Sequence, residues 1–195
     1  AALLGNKVAL FVDQVAPEGD IASASARTFD LAYHPDGVWT ELPKGEAVAL
    51  PDKPGYKHVR DAISVTVEAS RRGAVAPLLH LKTHRASARG SWWIAVMPGD
   101  VPTRAIVGTG VGANTEDRVP VTILRRHAVA TTYVWAVGLA ADVRPSLALE
   151  PITTSAQEPV PQHSACAVRV QCSGGTASAS RSWRSRRSPL RHGEQ

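Results

Sequence analysis

The chain has 195 residues, a net charge of +5 and 44% hydrophobic residues, enough for one β-sandwich with its own core and short for two independent domains. Six arginines between Arg169 and Arg191, against Glu194 alone, leave 16 basic and 16 acidic side chains in residues 1–163. A body so balanced argues against nucleic-acid and membrane-surface partners, which need like charges clustered on one face.

The opening Ala1-Ala2-Leu3-Leu4-Gly5-Asn6-Lys7 has no basic n-region and its apolar stretch is broken at once, so no signal peptide is legible. No window nears the roughly 20 apolar residues of a bilayer span, and a soluble chain is expected. KVALFVDQV (7–15) is apolar and β-branched, as in a strand buried on both faces. Residues 16–26, with Pro17, Gly19 and Asp20, read as a loop. TFDLAYH (28–34) sets Phe29, Leu31 and Tyr33 against Thr28, Asp30, Ala32 and His34, the period-2 pattern of a half-buried strand. Pro35-Asp36-Gly37 is a turn, and Val38-Trp39-Thr40 is expected to return from it as a hairpin.

Leu50 to Tyr56 holds Pro51, Pro54 and Gly55 and is a connection. Strands are expected at 62–69, 76–83, 91–97 and 104–109. The runs 119–125 and 130–139 are expected as a hairpin linked at His127, and 147–152 as an edge strand. No window shows the 3.6-residue period with caps, so helix should be nearly absent. The expected fold is an all-β antiparallel sandwich over 1–152, followed over 153–195 by a linker and, from Ser173, a disordered Arg/Ser-rich tail. Cys166 and Cys172 fall in this stretch and have the spacing of a small disulfide loop rather than a metal motif.

Several constellations bear on chemistry. His80 and His84 share a strand face, but no third ligand is legible, so no metal site is assigned. Gly108-Thr109-Gly110-Val111-Gly112 lacks the Lys-Ser/Thr of a phosphate loop and reads as a turn whose glycines supply positive φ. Tyr33 and His34 can each move a proton, but their alternation places at most one in any cleft. Arg125 and Arg126 end a β-branched strand and suit a uronate or sulfate, although a salt bridge to Glu116 or Asp117 explains them equally well. Among the tryptophans, Trp39 and Trp93 are the candidates for a sugar-stacking surface, and core packing is the competing reading.

VALFVDQV, RTFDLAYHPDG and VPVTILRR followed by TTYVWAVGL, in that order, resemble the C-terminal β-domain of heparinase II/III-like polysaccharide lyases, the group that includes oligo-alginate lyases. The resemblance runs over about residues 7–150. It matches Phe29-Asp30-Leu31-Ala32-Tyr33-His34 to a family strand and Pro120, Arg125 and Arg126 to a Pro-x-x-x-x-Arg-Arg strand. It implies a supersandwich-like domain beside a missing N-terminal α/α toroid, in a secreted or periplasmic carbon–oxygen lyase that cleaves uronate polysaccharides by β-elimination.

In that family the base, the carboxylate neutraliser and the zinc site lie upstream of the first strand here, and the chain has no His-Asn dipeptide. The resemblance therefore implies a fragment without a cofactor of its own and inactive alone. It would line the cleft for an acidic polysaccharide with Arg125, Arg126, Trp39 or Trp93, and Tyr33 and His34 are its weak catalytic candidates. The alternatives are a free-standing carbohydrate-binding sandwich and a structural β-module without a ligand.

Overall fold

The computed structural model describes the chain except Asn6 and residues 19–20, 70–78, 86–89, 115, 151, 162, 173–174 and 185–195, and describes only the backbone of Leu79, Arg85 and 175–184. The described strands, in chain order, begin with β1 (Ala2–Leu4), β2 (Val8–Val15), β3 (Arg27–Tyr33), β4 (Val38–Glu41), β5 (Glu46–Ala47), β6 (Arg60–Val67) and β7 (Leu79–Arg85). They continue with β8 (Gly90–Val96), β9 (Thr103–Val111), β10 (Arg118–Ala128), β11 (Thr131–Gly138), β12 (Pro145–Glu150), β13 (Ala165–Cys172) and β14 (Gly175–Arg184). The one described helical turn is a 3-10 turn at Ile21–Ser23, and no described helix is long and apolar enough to cross a membrane.

All pairing is antiparallel, in sheets ordered β1-β2-β11-β8-β7-β4, β3-β10-β9-β6-β5 and β12-β13-β14. The first two form the sandwich. Leu81, Ile94, Val96, Tyr133, Trp135 and Val137 of one pack against Val67, Ala105, Val107 and Leu124 of the other. The opposite face of the six-stranded sheet, with Val8, Leu10, Ala95, Val134 and Ala136, is covered by Leu147, Cys166, Val168 and Val170 of the third. β11 is thus buried on both sides along its whole length, which is why its sequence is continuously apolar rather than alternating. On the far face of the five-stranded sheet, Val48, Leu50, Tyr56 and Val59 fold over Ala62, Ile106, Val121 and Ile123. The all-β sandwich expected from the sequence is the observed architecture.

Both expected hairpins are instead crossings between sheets. After β3 the chain passes through Pro35–Gly37 to the other sheet, where β4 pairs with β7, while β3 pairs with β10. β10 and β11 likewise belong to different sheets, joined by an arch at Val129–Ala130 rather than by a link at His127. Neither residue of that arch is the Gly, Asn or Asp that a two-residue hairpin turn requires.

Gly108 and Gly110 lie within β9 rather than in a turn. A Cβ on Gly108 would stand 2.6 Å from the Arg60 carbonyl oxygen, so close approach of β6 is what requires glycine there, not positive φ.

The expected boundary at 152 falls between β12 and β13, which pair from Pro145↔Cys172 to Glu150↔Ala167. Residues 173–174 and 185–195 of the expected disordered tail lie outside the described residues, and the backbone of Gly175–Arg184 pairs with β13. Cys166 and Cys172 are free. They sit six residues apart on one extended strand, a span of about 20 Å, which no disulfide bridges, so the expected loop does not form.

Candidate functional site

The far face of the five-stranded sheet carries a polar network built on Asp30, Tyr56 and Arg125. Antiparallel register sets Arg125 of β10 directly between Asp30 of β3 and Arg104 of β9. Arg125 grips Asp30 through two parallel bonds, Nε to Oδ1 at 2.8 Å and Nη2 to Oδ2 at 2.7 Å. Tyr56, reaching in from the covering loop, donates its hydroxyl to Asp30 and receives a 3.3 Å bond from Arg125 Nη2. Arg104 donates Nε to Ser64 Oγ at 2.7 Å.

Partial burial alone would raise the Asp30 carboxyl, but the bonds from Arg125 and Tyr56 and the adjacent positive charge outweigh it and hold the pKa below the carboxylate norm. The same contact with Asp30 raises Arg125 and Tyr56. All three therefore keep their charge state at neutral pH. The partner of Arg125 is thus Asp30, 95 residues away in sequence, and not Glu116 or Asp117.

Arg126, its neighbour, points the other way and is 1% exposed. Its guanidinium donates to Thr103 Oγ1 (2.7 Å), Thr131 Oγ1 (3.1 Å), the Thr132 carbonyl (2.6 Å) and the Met97 carbonyl (3.2 Å). It lies 4.5 Å from the centroid of the Tyr133 ring. This pins the β10–β11 arch to both sheets and removes Arg126 from any substrate surface, correcting its expected role. Strand alternation separates two adjacent arginines into an outer and an inner one.

The tryptophan expectations are corrected as well. Trp39 faces the sandwich core and donates Nε1 to the Gly108 carbonyl at 2.7 Å. Trp93 is 9% exposed, bonded to the Ala141 carbonyl and flanked by Lys82 and Arg144 at 4.7 and 4.6 Å. The exposed member of the adjacent pair is Trp92, at 37%. Both faces of β8 are covered by other sheets, so exposure follows position along the strand, and Trp92 lies near its open end. The side chain of Trp183 is outside the described residues.

At that end the sheets part around a cavity of about 120 Å3 lined by Tyr33, His34, Pro35, Asp36, Thr83 and Trp92. Tyr33 and His34 both border this cavity, but their side chains diverge as strand alternation predicts: the Tyr33 ring packs on Trp135 between the sheets, while the His34 imidazole lies over Gly110 beside Val121 on the far face of the five-stranded sheet. Tyr33 packs its ring 4.4 Å from Trp135, and burial pushes its phenol up to about 12. A phenol held that high stays protonated and serves as a hydrogen-bond donor, not as a base at neutral pH.

His80 and His84 are engaged by the Pro145 carbonyl (3.0 Å) and Ser91 Oγ (3.3 Å). Among the described residues no group of three or more His, Cys, Asp or Glu side chains converges to hold a metal. Sequence reasoning singled out neither Asp30, Tyr56 and Arg104 as partners of Arg125 nor Trp92 as the exposed ring. The one legible signal was Asp30 standing at an outward position of an alternating strand. No protein-family model, curated protein or solved structure matches this chain.

Proposed function

We propose that this chain is a non-catalytic β-sandwich that lines the cleft of a uronate-specific polysaccharide lyase and receives a sugar carboxylate on the far face of its five-stranded sheet. The reading rests on the sequence resemblance and on one observation, the cross-strand pair Arg104 and Arg125. Like charges directly opposite one another destabilise a sheet. Asp30 neutralises only one of the two. The terminal nitrogens of Arg104 bond no described residue, and a guanidinium matches a carboxylate in bidentate geometry. The raised phenol of Tyr33 supports a lining role over catalysis by this chain alone.

The test is calorimetric titration of the chain with oligomannuronate, oligoguluronate and heparan-derived oligosaccharides, with Arg104→Gln and Arg125→Gln beside it. Binding that weakens with salt and falls roughly tenfold in Arg104→Gln is expected, with no unsaturated uronide formed. Equal binding by both variants, or a reading frame upstream of Ala1 without a helical toroid, would overturn the proposal.

A further inference from the structure

Asp30 already does to Arg125 what the sugar carboxylate of the proposed surface would do. Its two oxygens accept the Nε–H and an Nη2–H in parallel, at 2.8 and 2.7 Å, the bidentate geometry in which a guanidinium receives a uronate. A ligand reaching the cross-strand pair of Arg104 and Arg125 therefore finds one of the two arginines engaged by the chain itself.

The contact is built so that it can open. It lies at the surface, with 28% of the Arg125 and 18% of the Asp30 side chain accessible, unlike the buried Arg126, and accessible ion pairs stabilise little. Asp30 stands on β3, at the edge of its sheet among the described strands, so its carboxylate can turn outward without crossing a neighbouring strand. What holds it is the Tyr56 hydroxyl, which donates to Asp30 and accepts from Arg125 Nη2 at 3.3 Å. A turn closed by the Tyr56 amide on the Lys53 carbonyl at 3.0 Å, with Gly55 at a φ of 89° that favours glycine, presents this phenol.

We infer that Asp30 is an intramolecular stand-in for the uronate. In the free chain it occupies Arg125 under the Tyr56 latch, and an arriving oligouronate displaces it so that Arg104 and Arg125 hold one sugar carboxylate together. The inference rests on the proposed uronate surface and adds to it a filter on chain length. A tethered carboxylate competes at an effective concentration on the order of millimolar, which shuts out a single uronate present at less than that. An oligouronate held elsewhere along its length keeps its own carboxylate beside Arg125 at a comparable effective concentration and takes the place of Asp30.

The experiment titrates the chain, Asp30→Asn, Tyr56→Phe, Arg125→Gln and the double variant Asp30→Asn/Arg125→Gln with glucuronate and with oligomannuronate, urea midpoints confirming that each is folded. Asp30→Asn should bind oligomannuronate roughly tenfold tighter and gain glucuronate binding that the parent chain lacks. Tyr56→Phe, which frees Asp30 without removing its charge, should tighten oligomannuronate about threefold. In the Arg125→Gln background Asp30→Asn should change affinity by less than about twofold, whereas a general loss of negative charge from the face would tighten binding there too. Binding by Asp30→Asn no tighter than the parent, or a gain undiminished in the Arg125→Gln background, would overturn the inference while parent binding that still depends on Arg104 leaves the uronate surface standing. Uronate binding by neither parent nor variants would overturn both.

Discussion

Replacing Arg126 should expose how strongly one buried cation ties the two sheets together. Arg126→Ala removes four hydrogen bonds, two of them to the Met97 and Thr132 carbonyls, and opens a cavity beneath the Tyr133 ring. Lost bonds at about 1 kcal/mol each and a partly collapsed cavity of similar total cost are offset in part by no longer burying a charge. The net loss should be about 3 kcal/mol, a large share of the roughly 5–15 kcal/mol that holds a domain folded. Arg126→Met refills the volume and relieves the charge, so its loss should be nearer 1 kcal/mol.

Gly99 supplies the internal control. A Cβ there would lie 2.4 Å from Arg126 Nη1, so Gly99→Ala should also destabilise, but it should cost much less when Arg126 is already alanine. Urea midpoints at constant m-value give all four stabilities. A loss under about 0.5 kcal/mol in Arg126→Ala, or additive effects in the double variant, would refute the pinning argument.

Three further outcomes follow from the same contacts. The folded pKa of Asp30 lies below its ordinary value of 3.8. Its contribution is therefore fully present above that value and disappears as pH falls through the folded pKa; Asp30→Asn should flatten the acid limb of a stability–pH curve and cost about 1 kcal/mol at neutral pH. Thr122 Oγ1 is buried without a described partner, so Thr122→Val should stabilise by about 1 kcal/mol in the same urea assay, and a loss would reveal a hidden bond. Burial raises both thiols, so neither Cys166 nor Cys172 should react quickly with a thiol reagent in the folded chain. Mass spectrometry after mild oxidation should find no bridge between them.

Strand positions were largely legible because period-2 alternation is a local consequence of the pleat. RTFDLAYH and AISVTVEA announce themselves, and ACAVRVQC could have been read the same way, since Cys166, Val168 and Val170 alternate against Arg169 and Gln171. The site was less legible. Arg125 was recognised by type, yet its partners Asp30 and Tyr56 come from distant segments that only sheet register and a folded-back loop bring within bonding distance.

The sequence by itself determined an all-β chain of short antiparallel strands, its near-absence of helix and the outward or inward phase of most strands, because these depend on spacing within a few residues. Only the tertiary structure decided strand partnership, and with it which Arg and which Trp face solvent. Alternation assigns side chains to two faces but does not say what covers each face. Here a third sheet and the loop at 48–59 cover faces that a two-layer sandwich leaves open; Trp93 is buried towards the third sheet and Arg126 between the two sandwich sheets, while Trp92 and Arg104 stay exposed.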